Sequence, residues 1–314
     1  MARAKRFESD LRAAEALRHA PDPAGIRAAL SHRSGMIVAP AARAAAAHRI
    51  DGLEADMLAA LDRLYRDPVE HDPQCLGKLA LVAALDELGC GEAAPFLRAA
   101  RHVQLEPVWG GTQDSAPPLR IRAAQALVRL GHHGVYRLLG DLLVDPVGEV
   151  RGAAAQMLGA VGGERGALLL RLRLSVGDQD VDVLADYAAG LLACEGAEGV
   201  PLVVALLEHD DRAVVGGAAL ALGGSRLPEA LEPLLAALRA CPDRQLTRTL
   251  VDAIALQRSD ASAEVLLGLV ADGDREEAVA AAEGLRLYRD RPAIVERAQA
   301  ALAARGLKPA WKRD

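Results

Sequence analysis

The residues of this 314-residue chain best suited to metal or nucleophilic chemistry are its eight histidines and four cysteines. Their spacing supports neither use. No H-E-x-x-H occurs, no histidine is followed by glutamate, and Cys75, Cys90, Cys194 and Cys241 form no C-x-x-C pair. The paired ligands that a metal takes from one helical turn or one tight loop are therefore missing. The nearest approaches are "HDPQC" (His71 to Cys75) and His132-His133, which follow Gly131 in what reads as a solvent-exposed turn. There is no G-x-S-x-G, no credible strand to precede a phosphate-binding glycine loop, and no Ser-His-Asp grouping. The expectation is no catalytic residue, no cofactor and no metal, in a chain that binds rather than catalyses.

Two features remain that suit binding. One is a set of arginines, Arg98, Arg101, Arg137, Arg171 and Arg173, with Asp141 among them. Guanidinium forks suit carboxylates and phosphates, but long arginine stems also cover apolar surface while their heads stay in water. The other is "QLEPVWGGTQDSAPPLR", residues 104–120, which holds one of only two tryptophans, a Gly-Gly pair and two adjacent prolines. Trp109 has two readings: a seal folded over the junction between neighbouring elements, or an anchor for a partner beside Arg98 and Arg101.

The elements that must position these residues are helices. Hydrophobic residues make up 51 % of the chain but aromatics only 3 %, a balance that suits closely packed Ala/Leu helices better than a twisted sheet. Net charge is −6 with no long block of one sign, so nothing advertises nucleic acid or an anionic membrane. The longest run without Asp, Glu, Lys or Arg, from Ala213 to Ser225, is too short to span a bilayer. The N-terminal segment has basic residues but no apolar core and does not read as a secretory signal. Unpaired cysteines fit a reducing compartment. The expectation is a soluble, cytoplasmic protein with no membrane contact.

From residue 76 onward a unit recurs: an Ala-rich helix, a turn, a Leu-rich helix, an acidic turn. An aliphatic anchor is followed four positions later by the residue that opens the inter-helix turn. The pairs are Leu85 and Gly89, Leu127 and Gly131, Leu158 and Gly162, Leu192 and Gly196, and Leu220 and Gly224, with Arg258 and Arg289 replacing glycine after Ile254 and Leu285. Glycine there fits a left-handed helix C-terminus, and the two arginine copies must end differently. The interval from Leu85 to Leu127 is the longest between successive anchors. It therefore holds an insertion, which falls at 104–118. After Gly131, Val135, Leu138, Leu139, Leu142 and Leu143 form one apolar face. A single helix pair cannot bury such faces, so the units must stack.

"DPVGEVRGAAAQMLGAVG" (145–162) resembles the HEAT-repeat pattern, in particular the short bacterial variety also seen in phycobilisome-lyase-like repeats. The matching elements are Asp145-Pro146, Val150-Arg151, Ala153-Ala154, Leu158 and Gly162, and "DRAVVGGAALALG" (211–223) matches more loosely. The resemblance spans about residues 76–305 and implies an all-α fold, an α-α superhelix or HEAT-like solenoid of helix-turn-helix repeats. Residues 1–70 read as an irregular helical N-terminal cap, 71–305 as the array with its inserted loop at 104–118, and 306–314 as a frayed tail.

In HEAT-like solenoids the second helices line the concave surface, where the arginines would align. The resemblance therefore implies a scaffold or adaptor binding a protein or peptide on that face, through Trp109, Arg98, Arg101, Arg137, Asp141 and Arg171. It also admits a nucleic-acid-binding or DNA-repair module like the HEAT-like alkylpurine glycosylases, with Trp109, Asp114 and Arg137 as the suggestive set. A lyase or chaperone for a chromophore-bearing protein is a third option. The missing His-Glu dipeptides argue against the HEAT-like deoxyhypusine hydroxylases, whose iron site resembles paired His-Glu motifs.

Overall fold

The computed structural model describes residues 2–306. Of the expected C-terminal tail, 306–314, all but Gly306 lies outside the described residues. Two compact units divide the chain, residues 1–150 and 151–314.

The first unit runs α1 (Ala2–Ala16), α2 (Pro23–Leu30), α3 (Gly35–Ala47), α4 (Glu54–Leu64), a single turn α5 (Pro68–His71), α6 (Leu76–Glu87) and α7 (Ala93–Ala99). Two strands follow, β1 (Leu105–Val108) and β2 (Gly111–Asp114), then α8 (Pro117–Arg129), α9 (Val135–Leu142) and the start of α10 (Gly148–Val161). Local chemistry sets the starts: Asp22 accepts from the backbone N–H groups of Ala24 and Gly25 at the head of α2, with Pro23 in the first turn, where its missing N–H costs nothing. The apolar face expected after Gly131 is buried as read, from Val135 through Leu143. Helices α3 and α6 pack on each other and meet at Gly35 and Gly77: a Cβ on Gly77 would lie 2.6 Å from the Gly35 Cα.

The second unit continues with α11 (Gly163–Val176), α12 (Val181–Glu195), a short α13 (Val200–Val204) between two 3-10 turns, α14 (Arg212–Ser225), α15 (Leu231–Ala240), α16 (Arg244–Leu256), α17 (Asp260–Asp272), α18 (Arg275–Gly284) and α19 (Pro292–Ala304). The first helix of each pair is opened by an aspartate whose carboxylate accepts backbone N–H groups: Asp180, Asp211, Asp243 and Asp274. These are the acidic turns of the sequence repeat, and their even spacing carries its period. The first helices pack side against side, α12 on α14, α14 on α16 and α16 on α18. Small residues let them close in: a Cβ on Gly190 would lie 2.7 Å from the Ala155 carbonyl oxygen.

Helix ends follow the glycine rule in part. Gly89, Gly131, Gly162 and Gly196 take positive φ of 82°, 60°, 73° and 60°. The fifth pairing is corrected: α14 runs on through Gly224 to Ser225, and Arg226 takes the left-handed turn at φ 57°. Of the two arginine copies, Arg258 adopts the glycine-like conformation itself, at φ 52°. Arg289 stays right-handed at φ −59°, after a 3-10 turn at Leu285–Tyr288.

One stretch, Val181–Glu208, is long and apolar enough by composition to cross a membrane. It is broken after Glu195, where Gly196 turns the chain, and Asp182, Asp186, Glu195, Glu198 and Glu208 interrupt it with carboxylates. Val183, Leu184, Tyr187, Ala188 and Leu191 are buried within the second unit. These are the marks of a core helix followed by its turn.

Candidate interaction site

The inserted segment is not an irregular loop. Residues 105–114 form a two-stranded antiparallel hairpin, pairing Leu105 with Asp114, Glu106 with Gln113, Pro107 with Thr112 and Val108 with Gly111. This overturns the expectation that the chain holds no credible strand. Trp109 and Gly110 make the tip, and Gly110 takes φ 91°, a backbone shape that glycine adopts without strain. The reading of Trp109 as a seal is corrected too. Its side chain is 103 % exposed, so it covers no junction. Val103, Leu105 and Val108 are also exposed.

The base of the hairpin is held by charge. Glu106 Oε1 accepts from the Gln74 backbone N–H at 2.6 Å, from Gln104 Nε2 at 2.7 Å and from Ser115 Oγ at 2.5 Å. Asp114 Oδ1 accepts from the backbone N–H groups of Gln104 and Ala116, both at 3.0 Å. Asp114 Oδ2 accepts from Arg120 Nη1 at 2.6 Å. Arg120 is buried on α8 and also donates to the His102 carbonyl and to Asp145. Burial alone would raise the Glu106 and Asp114 carboxyls. Ser115, Gln104 and the Gln74 N–H for the first, and backbone N–H groups with Arg120 for the second, reverse this, leaving both below the usual carboxylate range.

Beneath the hairpin the turn from α5 into α6 is strained. Gln74 and Cys75 are consecutive non-glycine residues at φ 58° and 54°, each costing about 1–3 kcal/mol. Asp72 offsets that cost. Its carboxylate accepts from the backbone N–H groups of Gly77 at 2.6 Å and Lys78 at 2.9 Å, capping α6, and pairs with Lys78 Nζ at 2.9 Å. Gln104 Nε2 donates to the Asp72 carbonyl at 2.9 Å, tying this turn to the hairpin.

Asp72 and Cys75 of "HDPQC" are engaged by side-chain contacts. Asp72 is committed to α6, and burial pushes the Cys75 thiol up to about 11, a protonated and weakly nucleophilic state at neutral pH. Among the described residues no group of three His, Cys, Asp or Glu side chains is placed to hold a metal ion.

The arginines form no bare ridge. Arg98 donates to Asp62 at 2.8 Å and stacks 3.9 Å from the centre of the Tyr65 ring. Arg101 and Asp141 come together as a loose exposed pair at 3.9 Å. Arg137 is exposed on α9. In the second unit, Arg171 makes a two-pronged bond to Glu195 at 2.6 and 2.5 Å, and Arg173 binds Asp178 and Tyr187. Trp109 and Asp114 sit at opposite ends of the hairpin, so the Trp109, Asp114 and Arg137 set does not converge through its carboxylate.

Sequence reasoning missed the strands, the Asp72–Lys78 pair and the Arg120 clamp. A readable signal existed for Arg120: it shares a helical face with Ala123, Ala124 and Leu127, all buried.

The fold and site define an all-α array of helical hairpins bearing one inserted, clamped β-hairpin. Residues 110–182 and 167–255 match a family model of HEAT repeats. No curated protein sequence matches it. Among solved structures it is similar to the complex of CpcE and CpcF of phycocyanin lyase from Nostoc sp. PCC7120, at 19 % identity. That match covers 90 % of this chain and 95 % of the other, with a TM-score of 0.40. It is also similar to an engineered protein at 19 % identity, covering 95 % and 89 % of the two chains with a TM-score of 0.42.

Proposed function

We propose that this protein is a non-catalytic HEAT-repeat scaffold that holds a protein or peptide partner, with the 105–114 hairpin as a contact element. The observation that carries this reading is Trp109: a large aromatic wholly in solvent at the tip of a hairpin whose base is pinned by Glu106, Asp114 and Arg120. An exposed tryptophan adds nothing to the fold, whereas rigid presentation lowers the entropy lost when it is buried by a partner. The neutralised arginines play the lesser part in this reading. Arg98, paired with Asp62, and the exposed Arg101, Asp141 and Arg137 are candidates for polar contacts to the same partner.

The test is a photo-crosslinking amino acid placed at Thr112, beside the tip, in wild-type and Trp109→Ala backgrounds. A defined protein crosslinked in the first and lost in the second supports the reading. Equal recovery from both sinks it.

A further inference from the structure

The second unit holds a groove of about 810 Å³ across the N-terminal halves of α12, α14 and α16. Its floor is small and apolar, formed by residues such as Ala185, Gly217 and Leu220, and its rim is acidic, with Asp182, Asp186, Asp211 and Asp243 against one cation, Arg212. That cation is already used, since Arg212 Nη1 donates to Asp243 at 2.5 Å. Asp211 is occupied in capping α14. Asp182 and Asp186 face no cation among the described residues.

From this geometry we infer that the groove docks a peptide segment of a partner protein that carries arginine or lysine beside apolar residues.

Three observations select that occupant. The floor asks for apolar side chains and the rim for positive charge, which a basic, partly apolar peptide supplies together. A divalent cation fits poorly, because the carboxylates are spread over three helices and no described group of three is placed to hold a metal. An anion fits no better. The positive ends of α12, α14 and α16 are already covered by Asp180, Asp211 and Asp243, which removes the usual attraction of helix N-termini for phosphate.

Asp186 strengthens the case. It is half-buried and accepts from Gln156 Nε2 at 2.9 Å. Burial, then Asp182 and Asp180, hold its carboxyl above the usual range. Gly152 leaves the space it fills, since a Cβ there would strike its carboxylate. A half-buried carboxylate beside like charges is unfavourable until a cation arrives.

Neighbouring helices stand about 8–10 Å apart, so crossing three of them takes about eight residues of extended chain. The probe is therefore a fluorescein-labelled peptide of that length alternating leucine and arginine, titrated against the full chain by fluorescence polarisation. A second peptide carries glutamate in place of arginine, and spermine is a third ligand. The expected result is binding of the arginine peptide, not the glutamate peptide, weakened about fivefold or more by Asp182→Asn with Asp186→Asn. Ala189→Trp, at an exposed position on the groove wall, is expected to block it without changing charge. Unchanged affinity in both variants, or no preference between the peptides, overturns the proposal. So does spermine that competes as strongly as the peptide. Trp109→Ala is expected to leave this binding unchanged, so failure here and failure of the hairpin reading are separate results.

Discussion

Lys78 Nζ lies 2.9 Å from Asp72 Oδ2, and neither side chain reaches solvent. A buried ion pair of this kind is weak evidence for net stability, but breaking it from one side strands a charge. Asp72 would be that charge, at the turn that carries two left-handed residues and receives Gln104 from the insertion. Lys78→Met should therefore cost about 3–5 kcal/mol in urea unfolding followed by circular dichroism. A loss under about 1 kcal/mol would show that the turn does not depend on the pair.

The hairpin base should weaken in acid. Glu106 and Asp114 both have folded-state carboxyls below their ordinary range, where hydrogen-bond donors and Arg120 outweigh the opposing effect of burial. A depressed carboxyl contributes stability that is present above its unfolded value, about 4, and is lost as pH falls through the folded one. Protection of the Ser115 and Ala116 amides, taken relative to their intrinsic exchange rates, should fall below about pH 4, and Glu106→Gln should bring the same loosening at neutral pH. Protection that stays unchanged across that window would count against the clamp.

Trp109→Ala should separate binding from folding. Full exposure predicts a stability change within about 0.5 kcal/mol, while loss of a binding anchor costs about 2 kcal/mol of affinity, or about thirtyfold. Thermal unfolding reads the first and titration of the crosslinked partner the second. A large drop in melting temperature would return Trp109 to a packing role.

Two glycines should respond in opposite directions to alanine. At Gly190 the new methyl meets the Ala155 carbonyl at 2.7 Å and Leu170 at 3.1 Å, so overpacking of about 1–3 kcal/mol is expected. At Gly224 nothing lies within 4 Å and the residue is inside α14, so alanine should stabilise by about 0.5–1 kcal/mol. Paired melts of the two variants check the signs, and a destabilised Gly224→Ala would mean that α14 ends where the repeat pattern first placed it.

The repeat was legible because its information is local. Amphipathic spacing, the acidic turn and the small first helices recur in each copy, and each has a direct structural counterpart in Val135 to Leu143, Asp211 and Gly190. The hairpin was hidden because each strand is very short, and the pair holds Pro107 and exposes most of its side chains, so no alternating apolar face appears. Lys78 was hidden for another reason. Its partner Asp72 stands in the same stretch of sequence, but what buries the pair is the crossing of α3 and α6 at Gly35 and Gly77, which that stretch does not display. Gly224 misled because a glycine at a recurring position is only permission to turn, and α14 passes through it.

The aspartates at 180, 211, 243 and 274 bear on how such a chain can change length. Because the first helices opened by these aspartates each carry their own starting residue, excising one repeat, from Asp211 up to Asp243, leaves the neighbouring first helices with their own initiators. A variant shortened by one such span should keep the helices on either side of the excision.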